Sequence, residues 1–148
     1  MNKLILIIDD EEDIREVVQM SLELNAGWRT ISCGSGPEGV ARAQSDCPDA
    51  ILLDVMMPGQ DGAAVLNELK ADARTAPIPV IMLTAKARTE RNPPPGAAGV
   101  IVKPFDPARL AAQIVEMLGW SIPSVTSGAQ PSDDPMAVTT PLPTNPRA

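Results

Sequence analysis

The stretch LILIIDDEED (residues 4–13) joins five apolar residues to five consecutive carboxylates. Its apolar half predicts a strand that is covered on both faces, as the strands of a parallel sheet are. Adjacent like charges repel, and the positive N-terminal end of a helix accounts for some of these acids but not for all of them. We assign Glu11–Asp13 to the start of such a helix. Asp9 and Asp10, which follow the strand directly, need another explanation.

Short apolar runs alternate with helical patterns along the rest of the chain, which is typical of βαβ units on a parallel sheet. Strands are predicted at residues 4–8, 29–33, 50–55, 79–83 and 100–102, and helices at residues 13–24, 37–44, 61–72 and 107–118. The apolar stripes at helical spacing are Ile14, Val17, Val18 and Leu22 in the first helix, and Leu110, Ile114, Met117 and Leu118 in the last. The predicted fold class is therefore α/β, a doubly wound five-stranded parallel sheet flanked by helices.

The composition limits the possible classes of function. With 148 residues, 44% of them apolar, the chain is long enough to bury one core. A formal charge of -7 argues against binding to nucleic acid or to an anionic membrane surface. The chain has no histidine, which excludes Ser-His-Asp catalysis and imidazole metal ligands. Cys33 and Cys47 have no metal-type spacing, and we interpret them as reduced thiols of a cytoplasmic protein.

The composition changes after Trp120. The last 28 residues hold six prolines, four serines and four threonines, and they have no periodic apolar face. We therefore predict one folded domain at residues 1–120 and a disordered tail at residues 121–148, without a further DNA-binding or enzymatic output domain. No stretch has the length and composition of a signal peptide or of a membrane span.

Polar residues that can carry chemistry follow four of the predicted strands. Asp9 and Asp10 follow the first strand, Asp54 lies at the end of the third, Thr84 at the end of the fourth, and Lys103 at the end of the fifth. Ligands of open parallel sheets bind outside the carboxyl ends of the strands, so these side chains are expected to share one pocket. Each residue taken singly has an ordinary structural explanation as a cap, a β-former or a solvated charge. Three carboxylates together favour a hard divalent cation with oxygen ligands, which in a cell is Mg²⁺.

Three stretches in this order, LLDVMMPGQDG (residues 52–62), MLTA (82–85) and VKPF (102–105), resemble the receiver domain of two-component response regulators, and the resemblance runs from about Leu4 to Leu118. It implies a flavodoxin-like sheet of order 2-1-3-4-5 and a sensor histidine kinase or phosphotransfer protein as partner. It also implies roles for individual residues. Asp54 accepts a phosphoryl group, Asp10, Asp54 and the backbone carbonyl of Met56 bind Mg²⁺ directly, Asp9 binds it through water, and Thr84 and Lys103 contact the phosphoryl oxygens. Lys103 is expected to precede a cis peptide bond to Pro104.

The chain departs from the pattern of that family in one region. Val100 stands where the family usually has an aromatic residue, and only 19 positions separate Thr84 from Lys103. Pro93–Pro95 fall where the fourth helix of the family runs, and three consecutive prolines cannot continue a helix. We therefore predict that this helix is shortened or replaced by a loop.

Three functional classes remain to be compared. We favour a phosphorylatable receiver that signals through protein contacts to an unknown downstream protein, is a monomer or a weak homodimer, and is no enzyme beyond Mg²⁺-dependent self-phosphorylation and self-dephosphorylation. The alternative is a pseudo-receiver, a protein-interaction module that acts without phosphorylation. A haloacid-dehalogenase phosphatase is disfavoured, because Asp9-Asp10-Glu11 does not supply the D-x-D arrangement that such enzymes carry after the first strand.

Overall fold

The computed structural model of the chain describes residues 2–57, 59–85 and 94–120. Its main elements are β1 (Leu4–Ile8), α1 (Glu12–Ala26), β2 (Arg29–Cys33), α2 (Gly36–Asp46), β3 (Ala50–Asp54), α3 (Gly62–Ala71), β4 (Val80–Thr84), β5 (Gly99–Val102) and α4 (Leu110–Leu118). A two-residue antiparallel ladder pairs Met56–Met57 with Gln60–Asp61, and a 3₁₀ turn at Pro107–Arg109 leads into α4.

The five main strands form one parallel sheet in the order β2-β1-β3-β4-β5. This arrangement confirms the predicted fold class and the order that the resemblance implies. β1 and β2 have the bounds expected from the sequence, and β4 is shifted by one residue, so that Thr84 belongs to the strand instead of following it. Every residue of β3 and β4 is buried, because helices cover both faces of the sheet.

The first helix buries a different stripe from the one predicted. Val18 and Leu22 are buried as expected, but Val17 is 40% exposed and the polar Ser21 is buried instead. The reason is tertiary, because α1 packs against the turn before α4 as well as against β2, and the hydroxyl of Ser21 donates to the carbonyl of Pro107 in that turn. A serine is therefore buried with its polar group satisfied.

The last helix also differs from its prediction. Asp106 caps it as expected, since its carboxylate accepts the N–H of Ala108 at 3.0 Å, but the residues after Asp106 form the 3₁₀ turn before the α-helix begins. The buried residues of α4 are Leu110, Ala111, Ile114 and Val115. They form two adjacent rows at a spacing of four. Met117 lies outside these rows and Leu118 lies at the end of the helix, and both predicted residues are only half-buried.

Two predictions fall on residues that the structure does not describe. The shortened or missing helix after β4 concerns residues 86–93, and the disordered tail concerns residues 121–148. Both stay predictions, as does the domain boundary at residue 120. Within the described ranges, no helix is long and apolar enough to cross a membrane.

Candidate functional site

Four polar residues lie at one edge of the sheet because each stands at the carboxyl end of a parallel strand. Asp9 follows β1, Asp54 and Thr84 end β3 and β4, and Lys103 follows β5. The backbone ladder extends to them, since the N–H of Asp9 donates to the carbonyl of Cys33 at 3.1 Å and the N–H of Lys103 to that of Thr84 at 2.7 Å. The four side chains are therefore positioned by the hydrogen-bonded sheet.

Three carboxylates form a compact cluster at this edge. Asp9, Asp10 and Asp54 each offer an oxygen, and these three oxygens lie within 4.8 Å of one another. Asp9 is fully buried and Asp54 is 4% exposed, whereas Asp10 is open to solvent. The cluster therefore has two buried charges and one side that a ligand can reach.

Lys103 supplies the positive charge of the site. Its Nζ lies 3.0 Å from Oδ2 of Asp9, 3.4 Å from Oδ1 of Asp54 and 3.5 Å from Oε1 of Glu11. Burial by itself lowers the pKa of this ammonium, but the hydrogen bond to Asp9 and the charges of the three acids outweigh burial, so its pKa is raised. Lys103 is therefore a permanent cation shared by neighbouring carboxylates.

Asp54 is the acid of the site whose pKa is shifted most clearly. Burial of its carboxyl group and the negative charge of Asp9 raise its pKa to about 6, although the N–H of Met56 (3.2 Å) and Lys103 both favour the ionised form. A carboxylate with this pKa remains mostly ionised at pH 7.5. It is consequently available as a nucleophile, and its charge is incompletely neutralised by the protein alone.

Gly62 lets α3 begin directly against the end of β3. A Cβ on this glycine would lie 2.7 Å from the backbone oxygen of Asp54 and 2.7 Å from Cα of Val55. The N–H of Gly62 instead donates to the carbonyl of Val55 at 3.0 Å. Any side chain here would push the helix away from the segment that carries Asp54.

The remaining predicted residues are placed as follows. Thr84 is 1% exposed and lies one strand away from Asp54, and the Lys103–Pro104 peptide bond is cis, as expected from the resemblance. The side chain of Met56 is 59% exposed. The structure thus brings the predicted residues to one edge, while their individual roles stay predictions.

Two residues of the site were not identified from the sequence. Glu11 was assigned to the helix start alone, but it makes no side-chain cap and instead lies beside Lys103. The strand-end pattern does not include Arg15, whose Nη1 donates to the backbone carbonyl of Asp9 at 2.7 Å. Glu11 follows the acid pair directly, and this adjacency is the signal that points to it. Arg15 lies one helical turn after Glu11, on the side of α1 that faces the end of the strand.

The donor set suits a divalent metal ion. Carboxylate oxygens are the ligands that Mg²⁺ prefers, and the cluster of Asp9, Asp10 and Asp54 offers three of them on elements that are already fixed. Among the ion pairs of the described residues, Lys103 is the only cation that pairs with the carboxylates of Asp9 and Asp54. A dication would offset the charge that remains.

Sequence comparison agrees with this geometry. The profile of the response regulator receiver domain matches residues 5–115. The chain belongs to this receiver domain family. Receiver domains generally use Mg²⁺, which is consistent with the acidic cluster described above.

Relatives with known names support the assignment. The chain is 39% identical over 121 residues to the phosphate regulon transcriptional regulatory protein PhoB of Pseudomonas aeruginosa, with 80% of this chain and 52% of PhoB covered. It is 40% identical over 118 residues to the response regulator PleD of Caulobacter vibrioides, with 77% of this chain and 26% of PleD covered. The receiver chain thus spans about half of PhoB and about a quarter of PleD.

A solved structure gives the same result for the fold. The chemotaxis response regulator CheY4 of Vibrio cholerae matches with a TM-score of 0.72 at 29% identity, over 79% of this chain and 99% of that chain. The match covers nearly all of CheY4, so the receiver fold is the part that the two chains have in common.

Proposed function

We propose that this receiver accepts a phosphoryl group on Asp54 from the phosphohistidine of a sensor histidine kinase or phosphotransfer protein. One observation carries the proposal: the buried carboxylate of Asp54 lies at a sheet edge with Asp9 and Asp10 in the same cluster and with Nζ of Lys103 at 3.4 Å. A nucleophile, a set of oxygen ligands and a cation are therefore present within one site.

The reaction forms one bond and breaks another. An oxygen of the Asp54 carboxylate attacks the phosphorus, the N–P bond of the donor breaks, and its electron pair returns to the imidazole, which takes up a proton. The attacked group carries negative charge on its oxygens, and Lys103 stabilises that charge because its ammonium already lies beside Asp54. Thr84 is assigned to a phosphoryl oxygen on account of its position at the end of the neighbouring strand.

The metal ligands are assigned to the acidic cluster and to one backbone group. Asp10, Asp54 and the carbonyl of Met56 would hold Mg²⁺ directly, and Asp9 would do so through water. A dication held there would supply positive charge that offsets the carboxylates and the incoming phosphoryl group. Asp10 is the exposed member of the cluster, so it lies on the side from which the donor arrives.

The wider role follows from the same assignment. We expect the phosphorylated receiver to act in the cytoplasm through contact with a downstream protein, without catalysis beyond its own phosphorylation and dephosphorylation. The relatives PhoB and PleD are named as regulators, and their additional length leaves the output of this protein a separate question. The absence of nucleic-acid and membrane partners, and a monomeric or weakly dimeric state, stay predictions.

The proposal is tested by labelling with a small phosphodonor. The full chain, its Asp54→Asn variant and a matched surface variant, Asp46→Asn, are incubated with Mg²⁺ and acetyl phosphate and examined by intact mass. We expect one added phosphoryl group on the parent and on Asp46→Asn, and none on Asp54→Asn. Omission of Mg²⁺ is expected to suppress the label on the parent and on Asp46→Asn.

An unlabelled parent at saturating donor would contradict the proposal and favour the pseudo-receiver. Labelling of the parent and of Asp54→Asn alike would place the acceptor elsewhere. In that case, peptide mapping identifies the residue that carries the phosphoryl group.

A further inference from the structure

The arginine of the first helix turn contacts the backbone at the centre of the site. Nη1 of Arg15 donates to the carbonyl oxygen of Asp9 at 2.7 Å. This distance is short for a hydrogen bond between nitrogen and oxygen, and the donor is charged, which is the stronger kind of backbone contact. The contact joins α1 to the end of β1.

The carbonyl that Arg15 contacts belongs to the peptide between Asp9 and Asp10. A peptide is planar, so the orientation of its carbonyl also sets the direction in which Asp10 leaves Asp9. Both residues belong to the acidic cluster. A side chain that holds this one oxygen therefore determines how two of the three carboxylates are presented.

The other groups of Asp9 are held independently. Its N–H donates to the carbonyl of Cys33 at 3.1 Å, its Oδ1 accepts the N–H of Glu11 at 2.9 Å, and its Oδ2 accepts from Lys103 at 3.0 Å. The carbonyl is the remaining polar group of this fully buried residue, and Arg15 is its partner. Without Arg15, the peptide plane loses this restraint, and the adjoining hydrogen bond from the N–H of Glu11 to Oδ1 of Asp9 opens more readily.

The neighbouring loop provides room for the guanidinium. A Cβ on Gly34 would lie 3.3 Å from Nη1 of Arg15, which is closer than most Cβ contacts. Gly34 is exposed and is not among the glycines with positive φ, so its backbone tolerates other residues. An added Cβ at Gly34 therefore disturbs the placement of Arg15.

From these contacts we infer that Arg15 is a positioning residue, which holds the Asp9–Asp10 peptide in the orientation that presents both carboxylates to Mg²⁺. The inference rests on the proposed function for its biological meaning, but the binding of Mg²⁺ measures it directly. Arg15 touches neither the metal ion nor the phosphoryl group in this scheme. It acts through the backbone of Asp9.

The test measures Mg²⁺ binding to the full unphosphorylated chain by calorimetry. We expect Arg15→Met to weaken binding about tenfold, the size of effect that loss of one charged hydrogen bond produces. Arg42→Met is the matched control, since it removes an exposed arginine whose ion pair is with Asp46 on α2. Arg15→Lys, which keeps a charged donor, is expected to recover part of the affinity.

A second readout uses no metal. In metal-free protein, we expect the amide of Glu11 to exchange faster in Arg15→Met than in Arg42→Met, because the segment that presents Asp9 is released. Gly34→Ala keeps the arginine but crowds it, and we expect it to weaken Mg²⁺ binding by about threefold, a fraction of the effect of losing the contact. Thermal unfolding of each variant reports whether the fold is intact.

Mg²⁺ affinities of Arg15→Met and Gly34→Ala equal to that of the parent would overturn the inference. If Arg15→Met does not fold, Gly34→Ala and Arg15→Lys decide it: weaker binding in both supports the inference, and parental binding in both overturns it. Labelling of the parent on Asp54 is scored separately. An unlabelled parent whose Mg²⁺ affinity depends on Arg15 would refute the proposed function and leave the positioning role in place.

Discussion

Two lysines of this receiver, one near each edge of the sheet, have different partners and opposite pKa shifts. Lys103, at the carboxyl edge, contacts Asp9, Asp54 and Glu11, and its pKa is raised. Lys70, near the opposite edge, donates to the carbonyls of Ala76 at 3.0 Å and Ile78 at 2.7 Å. Burial lowers the pKa of Lys70, and this lysine forms no ion pair with a carboxylate among the described residues.

Two aspartates also differ between the site and the other edge, because the pKa of one is raised and the pKa of the other is lowered. Burial and the charge of Asp9 raise the pKa of Asp54 to about 6. Asp72, in the loop after α3, accepts from the side chain and backbone of Arg74, and these contacts lower its pKa to about 2. The loop therefore satisfies its charges locally, whereas the site keeps a charge in excess.

This difference separates a structural use of polar groups from a functional one. The loop at residues 72–79 pairs each charge with a neighbour a few positions away, which stabilises the connection to β4. The site gathers residues from distant strands, and leaves carboxylates that an added cation can stabilise. Substitutions should therefore affect function only at the site, where removal of an excess charge also raises stability, whereas substitutions that remove the local contacts of the other edge should lower stability.

The largest expected effect is on labelling by acetyl phosphate. Lys103→Met should reduce the rate of phosphoryl transfer to Asp54 by about 10²-fold, because one donor that stabilises the developing charge is lost. Lys70→Met is the matched control and should keep the parental rate. Initial rates at fixed Mg²⁺ measure both. Equal rates in the two variants would show that the contrast between the lysines has no bearing on transfer.

A smaller effect is expected on stability in metal-free buffer. The pKa of Asp54 is higher in the folded protein than the ordinary value of 3.8, so the folded state binds this proton more tightly. The stabilising contribution is full below about pH 4 and is lost as the pH rises through about 6. At pH 7.5 we therefore expect Asp54→Asn to raise the free energy of unfolding by about 2 kcal/mol.

Urea denaturation with a chelator present measures this difference, and Asp46→Asn serves as the surface control. The advantage of Asp54→Asn over the parent should disappear near pH 4. An advantage that is independent of pH between 4 and 8 would mean that ionisation of Asp54 is not its cause.

Removal of Lys70 should change the free energy of unfolding by less than Asp54→Asn does. Lys70→Met leaves the carbonyls of Ala76 and Ile78 without their charged donor, which is unfavourable because Ile78 is only 7% exposed. Release of a partly desolvated ammonium offsets some of this loss, so we expect the free energy of unfolding to fall by about 1 kcal/mol. Denaturation at pH 7.5 checks it. A stability equal to or above that of the parent would show that desolvation of Lys70 outweighs its two hydrogen bonds.

The smallest effect is expected at Asp72, because its pair with Arg74 is exposed. Its pKa is lowered in the folded protein, so its contribution is present above about pH 4 and is lost as the pH falls towards 2. Asp72→Asn should therefore melt slightly below the parent at pH 7, and the gap should narrow below pH 4. If the difference in melting temperature instead widens on acidification, protonation of Asp72 would stabilise the folded protein, as protonation of Asp54 does. The contrast between the two aspartates would then be removed.

Much of this fold was predictable from local patterns. The five apolar runs became the five strands, with bounds that differ by one or two residues at most. The helix faces were predicted less well, since Ser21 replaces Val17 on the buried side of α1, and Val115 replaces Met117 on that of α4. A periodic pattern indicates that a helix has an apolar side, but the elements packed against it decide which rows are buried.

The site was predictable in its members and less so in its contacts. Asp9, Asp10, Asp54, Thr84 and Lys103 lie where the strand ends place them. Glu11 and Arg15 were missed, because neither stands at a strand end and both act through side chains whose length lets them reach a neighbour. The adjacency of Glu11 to the acid pair is the one local signal for it, and no local pattern points to Arg15.

The sequence by itself determined the parallel sheet and the residue types at its carboxyl edge, because strand periodicity and strand ends are local properties of the chain. Only the tertiary structure decided what those residues experience. Lys103 and Asp9 are 94 positions apart in the sequence, but Nζ of Lys103 lies 3.0 Å from Oδ2 of Asp9 in the fold. The pKa of Asp54 and the restraint on the Asp9–Asp10 peptide depend on burial and on charges from separate elements, and these quantities exist only after the strands and helices have packed together.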